Sequence, residues 1–210
     1  MTTTYGKEIR SRRGFSKRNS RFKGSGVPGY QPKKFRTHIA AEFLTVAELV
    51  SRRFHREVYL IGIRAAYEHG VKPWRVTEDF DIYVPLTLTE RDELTKEVTA
   101  RGGTYQWTAF GITYRLGDER IDINFLNPIR EEDLRRRARR IQGSIYALSL
   151  EDLIVAKLIS PRRKDRIDAG KLLKNTHGRY NMGRLKEIAM EAKVLPELVK
   201  TARRYGVKSS

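Results

Sequence analysis

Apolar residues recur along this chain with two periods, and the changes between them mark its elements. From about Ile39 to Phe54, Phe43, Leu44, Val46, Ala47, Leu49 and Val50 fall at helical spacing and predict an amphipathic helix. Glu57 to Ile61 predicts a short buried strand, and Gly62 begins a turn into a helix ending at His69, with Gly70 as its C-terminal cap. Around Asp79 to Val84, and again around Arg120 to Phe125, the period falls to two. Phe80, Ile82 and Val84 then share one side of the first strand while Asp79, Asp81 and Tyr83 share the other. In the second, Ile121, Ile123 and Phe125 form the apolar side and leave Arg120, Asp122 and Asn124 opposite. Pro73 and Trp74 fall in the connection before the first of these strands, and Pro85 ends it.

The remaining segments follow the same logic. Thr89 with Asp92 predicts the start of a helix that buries Leu94 and Val98 and closes at Gly102 and Gly103. Thr104 to Ala109 and Ile112 to Leu116 predict strands, with a tight turn at Gly117 and Asp118. Pro128 breaks the pattern, and Glu131 to Arg140 predicts a highly charged helix. Ser144 to Ala147 is one more strand, and Ser149 with Asp152 caps a helix whose buried stripe is Leu150, Leu153, Ile154, Leu158 and Ile159, with Lys157 off the stripe. A helix opening at Pro161 carries Asp165 and Asp168 one turn apart, and two short helices, near Gly183 to Ala192 and Pro196 to Arg204, finish the chain. The predicted fold is α/β of the α+β kind: a small mixed β-sheet flanked by helices, a helical C-terminal part and a basic disordered N-terminal arm. The predicted organisation is an arm over 1–36, a core over 37–148 and a helical region over 149–210 packed on the core.

Charge changes this picture most. The net charge is +18 with a pI near 10.3, which makes a polyanion such as nucleic acid the expected partner. Residues 1–36 hold eleven Lys or Arg against the single acid Glu8. That segment has too little apolar surface to offset chain entropy. Its aromatics Tyr5, Phe15, Phe22, Tyr30 and Phe35 lie among the cations, a composition suited to stacking on unpaired bases while neutralising phosphates. Arg10, Arg12, Arg13, Lys17, Arg18, Arg21 and Lys23 are therefore candidate RNA contacts, as are Arg136 and Arg140 of the charged helix. The absence of cysteine excludes disulfides and thiolate-ligated zinc. The four histidines are scattered without ligand spacing. No apolar run reaches spanning length, and charges stand where a signal peptide needs a hydrophobic segment, so a soluble cytoplasmic protein without a membrane partner is expected.

Candidate chemistry lies on the two alternating strands. If they are neighbours, Asp79, Asp81 and Asp122 converge on one face. Like charges so close raise one another's pKa, and a hard divalent cation with oxygen ligands, Mg²⁺ or Mn²⁺, removes that cost while sharing its shell with substrate phosphates.

Read in order, these residues resemble the nucleotidyltransferase superfamily related to DNA polymerase beta, and within it the AbiEii-like and toxin-type members. The resemblance covers about Glu57 to Leu173. It rests on a strand ending at Gly62, on Arg75, Thr77, Asp79 and Asp81 in an Arg-x-Thr-x-Asp-hydrophobic-Asp motif, and on a later third acid, Asp122. The downstream Leu-Glu-Asp-Leu-Ile-Val-Ala-Lys157 run and the Arg163 to Asp168 segment continue it. The resemblance implies a metal-dependent transfer of a nucleoside monophosphate from an NTP to a hydroxyl of RNA (tRNA or rRNA) or protein. Asp79, Asp81 and Asp122 would be metal ligands and, with Lys157, catalytic; Gly62, Ile63, Arg64, Thr77 and Arg163 would face nucleotide or phosphate, and Asp165 and Asp168 would support the cations. One departure stands out: Ile63 follows Gly62 where the family carries Ser or Gly. A second reading therefore stays open, a non-catalytic RNA-binding or ribosome-associated protein on the same fold. A ribosome or an antitoxin is the implied macromolecular partner.

Overall fold

The computed structural model describes residues 40–72, 74, 75, 77, 79–125 and 129–208, so the basic arm, Pro73 and Pro128 lie outside the described residues. Helix α1 (Ala41–Phe54) opens the fold and buries Phe43, Val46, Ala47 and Val50, one stripe at helical spacing, before His55 ends it in the left-handed conformation. Seven strands follow: β1 (Val58–Leu60), β2 (Asp79–Tyr83), β3 (Thr104–Trp107), β4 (Gly111–Leu116), β5 (Glu119–Asn124), β6 (Arg139–Gln142) and β7 (Ile145–Ala147). They form one mixed sheet in the order β3-β4-β5-β2-β1-β7-β6. Strand β2 runs parallel to β5, and β1 parallel to β7, while the other pairings are antiparallel.

The two faces of the sheet are covered differently. Phe80, Ile82, Ile112, Tyr114, Ile121 and Ile123 are buried on the apolar face. Helices α1 and α3 (Leu88–Ala100) pack there: Phe43 stacks on Phe80 with ring centroids 4.5 Å apart, and Thr95 of α3 hydrogen-bonds the Tyr114 hydroxyl at 2.9 Å. On the other face, α2 (Gly62–Glu68) contacts β2 and β7, and α5 (Leu150–Ile159) packs behind α2. Helices α6 (Arg163–Asn175), α7 (Met182–Glu191) and α8 (Leu195–Arg204) then build on α5. Their buried residues Leu172, Leu173, Leu185, Ile188 and Leu198 belong to the same core cluster as the sheet. Among the described residues, no helix is long and apolar enough to cross a membrane.

Two local expectations are corrected. Helix α3 starts at Leu88 because Thr87, not Thr89, is its N-cap: the Thr87 hydroxyl accepts from Glu90 N, and Glu90 accepts from Thr87 N at 2.6 Å, a reciprocal capping box. The charged helix α4 (Glu131–Arg137) is shorter than the run of arginines suggests. Ala138 is extended, and Arg139 to Gln142 pair with β7 as the edge strand β6. Sheet pairing claims a segment whose side chains alone favour helix, since β7 has an open edge to fill.

Candidate active site

The strand pairing brings the three acids together. Parallel register sets Asp81 beside Asp122 and Asp79 beside Arg120. One carboxylate oxygen from each of Asp79, Asp81 and Asp122 lies within 4.8 Å of the others. Each carboxylate has a different environment. The Thr77 hydroxyl donates to Asp79 at 2.6 Å. Burial alone would raise Asp79, but that hydrogen bond, a backbone N–H and the charges of Arg120 and Arg75 hold it below the usual carboxylate range. Asp122 accepts from Thr113 Oγ1 at 2.6 Å and is clasped by Arg120, through Nε at 3.1 Å and Nη2 at 2.9 Å.

Asp81 is the electrostatically costly member. Burial, then Asp79 and Asp122, push it up to about 6, against the opposing charges of Lys157 and Arg162. Its carboxylate lies against the start of α2. Gly62 has φ +71, and a Cβ there would fall 2.3 Å from Asp81 Oδ2, so both the backbone conformation and the carboxylate require glycine. The next side chain, Ile63, is buried, at 1% exposure. Arg64 is committed to backbone: Nε donates to Asp79 O at 2.9 Å and Nη2 to Thr77 O at 3.3 Å, with the guanidinium 3.8 Å above the Phe80 ring. It fixes the entry to β2.

A second cluster, from α5 and the start of α6, faces the acids. Lys157 Nζ donates to Asp165 Oδ1 at 2.7 Å, while Ser160 Oγ and Arg162 Nε donate to Oδ2 at 2.6 and 2.5 Å. Asp165 is fully buried. Burial alone would raise it, yet the Lys157 and Ser160 hydrogen bonds and the charges of Lys157 and Arg162 hold it down at about 2. The positive charges of Lys157 and Arg162 act on Asp81, opposing the rise in its pKa. Asp168 has a different partner: it accepts from Trp74 Nε1 at 3.2 Å and Arg75 Nη2 at 3.1 Å, tying the segment before β2 to α6. Arg163 is exposed at the first position of α6. Sequence reasoning missed Arg162, although its position three residues before Asp165 was a usable signal.

The other predicted contacts lie elsewhere. Arg10, Arg12, Arg13, Lys17, Arg18, Arg21 and Lys23 are outside the described residues. Arg136 pairs with Asp133 at 2.8 Å, and Arg140 Nε donates to Gly143 O at 2.8 Å; both are exposed beside the β7–β6 end of the sheet, away from the acids. Their neighbour Arg137 is internal, donating to both oxygens of buried Asp152 at 3.1 and 2.9 Å.

No family model matches the chain, nor does any curated protein. Among solved structures it is similar to the solution structure of the antibiotic-resistance factor ANT(2'')-Ia at 17% identity, over 78% of this chain and 91% of that one, with a TM-score of 0.46. The crystal structure of ANT(2'')-Ia in complex with adenylyl-2''-tobramycin gives 17% identity over 77% and 96%, TM-score 0.46. JHP933 from Helicobacter pylori gives 14% identity over 78% and 88%, TM-score 0.42.

Proposed function

We propose that this chain is a divalent-metal-dependent nucleotidyltransferase that moves a nucleoside monophosphate from an NTP to a hydroxyl of RNA. The observation that carries the reading is the convergence of Asp79, Asp81 and Asp122 within 4.8 Å on one strand pair, where the charges of Lys157 and Arg162 also act on Asp81. The donor set fits a hard cation: it is all carboxylate oxygen, and Asp81 is pushed up to about 6 by burial and then by the neighbouring carboxylates, a cost that a divalent ion relieves. Asp79 and Asp81, with Asp122 completing the set, would hold Mg²⁺ or Mn²⁺. When bound, the metal neutralises phosphate charge and polarises the reacting phosphoryl group.

The protein's own residues divide the remaining work. Thr77 fixes Asp79 by a hydrogen bond, and Gly62 leaves room for the Asp81 carboxylate. Asp122, held by Thr113 and Arg120, accepts the proton of the attacking hydroxyl. The hydroxyl oxygen bonds to the α-phosphorus as the bond from that phosphorus to the pyrophosphate oxygen breaks. Lys157 and Arg162, preorganised by Asp165, neutralise charge on the departing pyrophosphate. The +18 charge and the cationic first 36 residues favour RNA as acceptor, whether tRNA or rRNA. A protein hydroxyl, as in a toxin-type enzyme, would use the same chemistry.

The alternative, an RNA-binding protein without catalysis, rests on Ile63 in place of Ser or Gly and on the +18 charge; the Ile63 side chain is buried, which supports the enzymatic reading over it. Labelled NTPs with Mg²⁺ or Mn²⁺ and total tRNA test the proposal. Incorporation that disappears in the Asp79→Asn, Asp81→Asn double variant is expected. No labelling of any acceptor, or labelling unchanged in the double variant, would overturn it.

A further inference from the structure

The acid-bearing face of the sheet opens toward its β3 edge. Helix α2 contacts β2 and β7, while at β3 and at Arg115 of β4 the same face carries exposed polar residues, with Arg120 and Asp122 of β5 partly exposed and Thr113 of β4 buried between them. Two rows cross it. One runs Asp81, Asp122, Thr113, Gln106, and the other Asp79, Arg120, Arg115, Thr104, each residue the register partner of the next. Thr104, Gln106 and Arg115 are exposed, and the Arg120 side chain is 43% exposed even while clasping Asp122. Among the described residues of β3 to β5 on this face, Asp122 is the only acid, and Arg115 makes no ion pair.

We infer that this open part of the face is the acceptor platform, and that it takes the terminal phosphates of a nucleic-acid strand. The inference rests on the nucleotidyl-transfer reading and assigns the acceptor's path within it. Three observations agree. The platform begins at Asp122, which the reading gives to the attacking hydroxyl. Arg115 lies two strands from Asp79, about 10 Å at ordinary strand spacing, within reach of the last nucleotides of a strand ending at the acids. Its charge is available, since among the described residues no carboxylate engages it. Gln106, next to Thr113 in the other row, offers both a donor and acceptors to sugar or base edges. A polycationic acceptor would meet Arg115 and Arg120 with, among the described residues, no exposed acid on the platform to receive it, so the surface selects against it.

The test uses the full chain and an RNA carrying 4-thiouridine in its last nucleotides, cross-linked and mapped by mass spectrometry, beside the Arg115→Glu variant. Cross-links are expected in the peptides spanning 104–116. Arg115→Glu is expected to raise the acceptor KM about tenfold and to lower the salt slope of RNA binding by about one, the loss of one phosphate contact. DNA of the same sequence should show the same dependence on Arg115, because the contact is to phosphate. Melting temperature and calorimetric binding of Mn²⁺ with NTP, measured on the same variant, should not move. Cross-links confined to residues 1–39 or to α6, an unchanged acceptor KM, or labelling of a protein acceptor that Arg115→Glu leaves intact would each overturn the platform. An absence of NTP binding in the unmodified chain is a separate result: it strikes the nucleotidyl-transfer reading, whereas failure of the variant alone strikes the platform.

Discussion

Asp81 Oδ2 lies 2.3 Å from where a Cβ on Gly62 would stand, so the start of α2 and the middle of β2 share one volume that only glycine leaves free. Gly62→Ala must therefore displace the carboxylate and hold alanine at φ +71. The conformational part costs about 1 to 2 kcal/mol. Loss of metal binding by more than the loss of stability is expected, measured by titrating Mn²⁺ into a variant whose melt shows it folded.

The raised pKa of Asp81 sets a pH dependence. Its folded value of about 6 lies above the ordinary 3.8, so the folded state keeps the proton longer than the unfolded state. Without metal, this group lowers stability progressively as pH rises from about 4 to about 6, and its full penalty remains above that. Asp81→Asn should raise the metal-free melting temperature at pH 7 and have no such benefit near pH 4. Mg²⁺ should stabilise the unmodified chain at pH 7, lose that effect as pH falls below about 6, and be withdrawn by a chelator.

Asp165 has the opposite sign. Held at about 2, it contributes stability that is fully present above about 4 and is lost as pH falls through about 2. Asp165→Asn leaves Lys157, only 12% exposed, without its buried counter-charge. A loss of about 3 kcal/mol in denaturant melts is expected, together with loss of transfer activity. Lys157→Met should lose activity with a smaller loss of stability, because Arg162 and Ser160 still satisfy Asp165.

The arginine run of α4 should divide by burial. Arg137→Ala removes the bidentate partner of fully buried Asp152 and should cost about 3 to 5 kcal/mol. Arg136→Ala breaks only an exposed pair and should change stability by about 0.5 kcal/mol or less. Urea midpoints of the two variants check the contrast.

The sequence alone determined what is local. Alternation placed Asp79 and Asp81 on one side of a strand and Asp122 on the polar side of another, because a strand's period of two can be read without its neighbours. Helical spacing found α1, α5 and α6, and the charge of the first 36 residues was plain. Tertiary structure decided which of these features meet. Pairing β2 with β5 in parallel register, rather than any property of either strand, set Asp81 beside Asp122. The packing of α2 decided that Ile63 is buried and that Arg64 holds backbone carbonyls. Among Arg162, Arg163, Lys164 and Arg166, only the start of α6 determines that Arg162 turns to Asp165. An open edge on β7 drew Arg139 to Gln142 out of a helix that their own composition favoured. Periodicity is written residue by residue, whereas register, burial direction and the choice among identical cations depend on surfaces that exist only once the chain has folded.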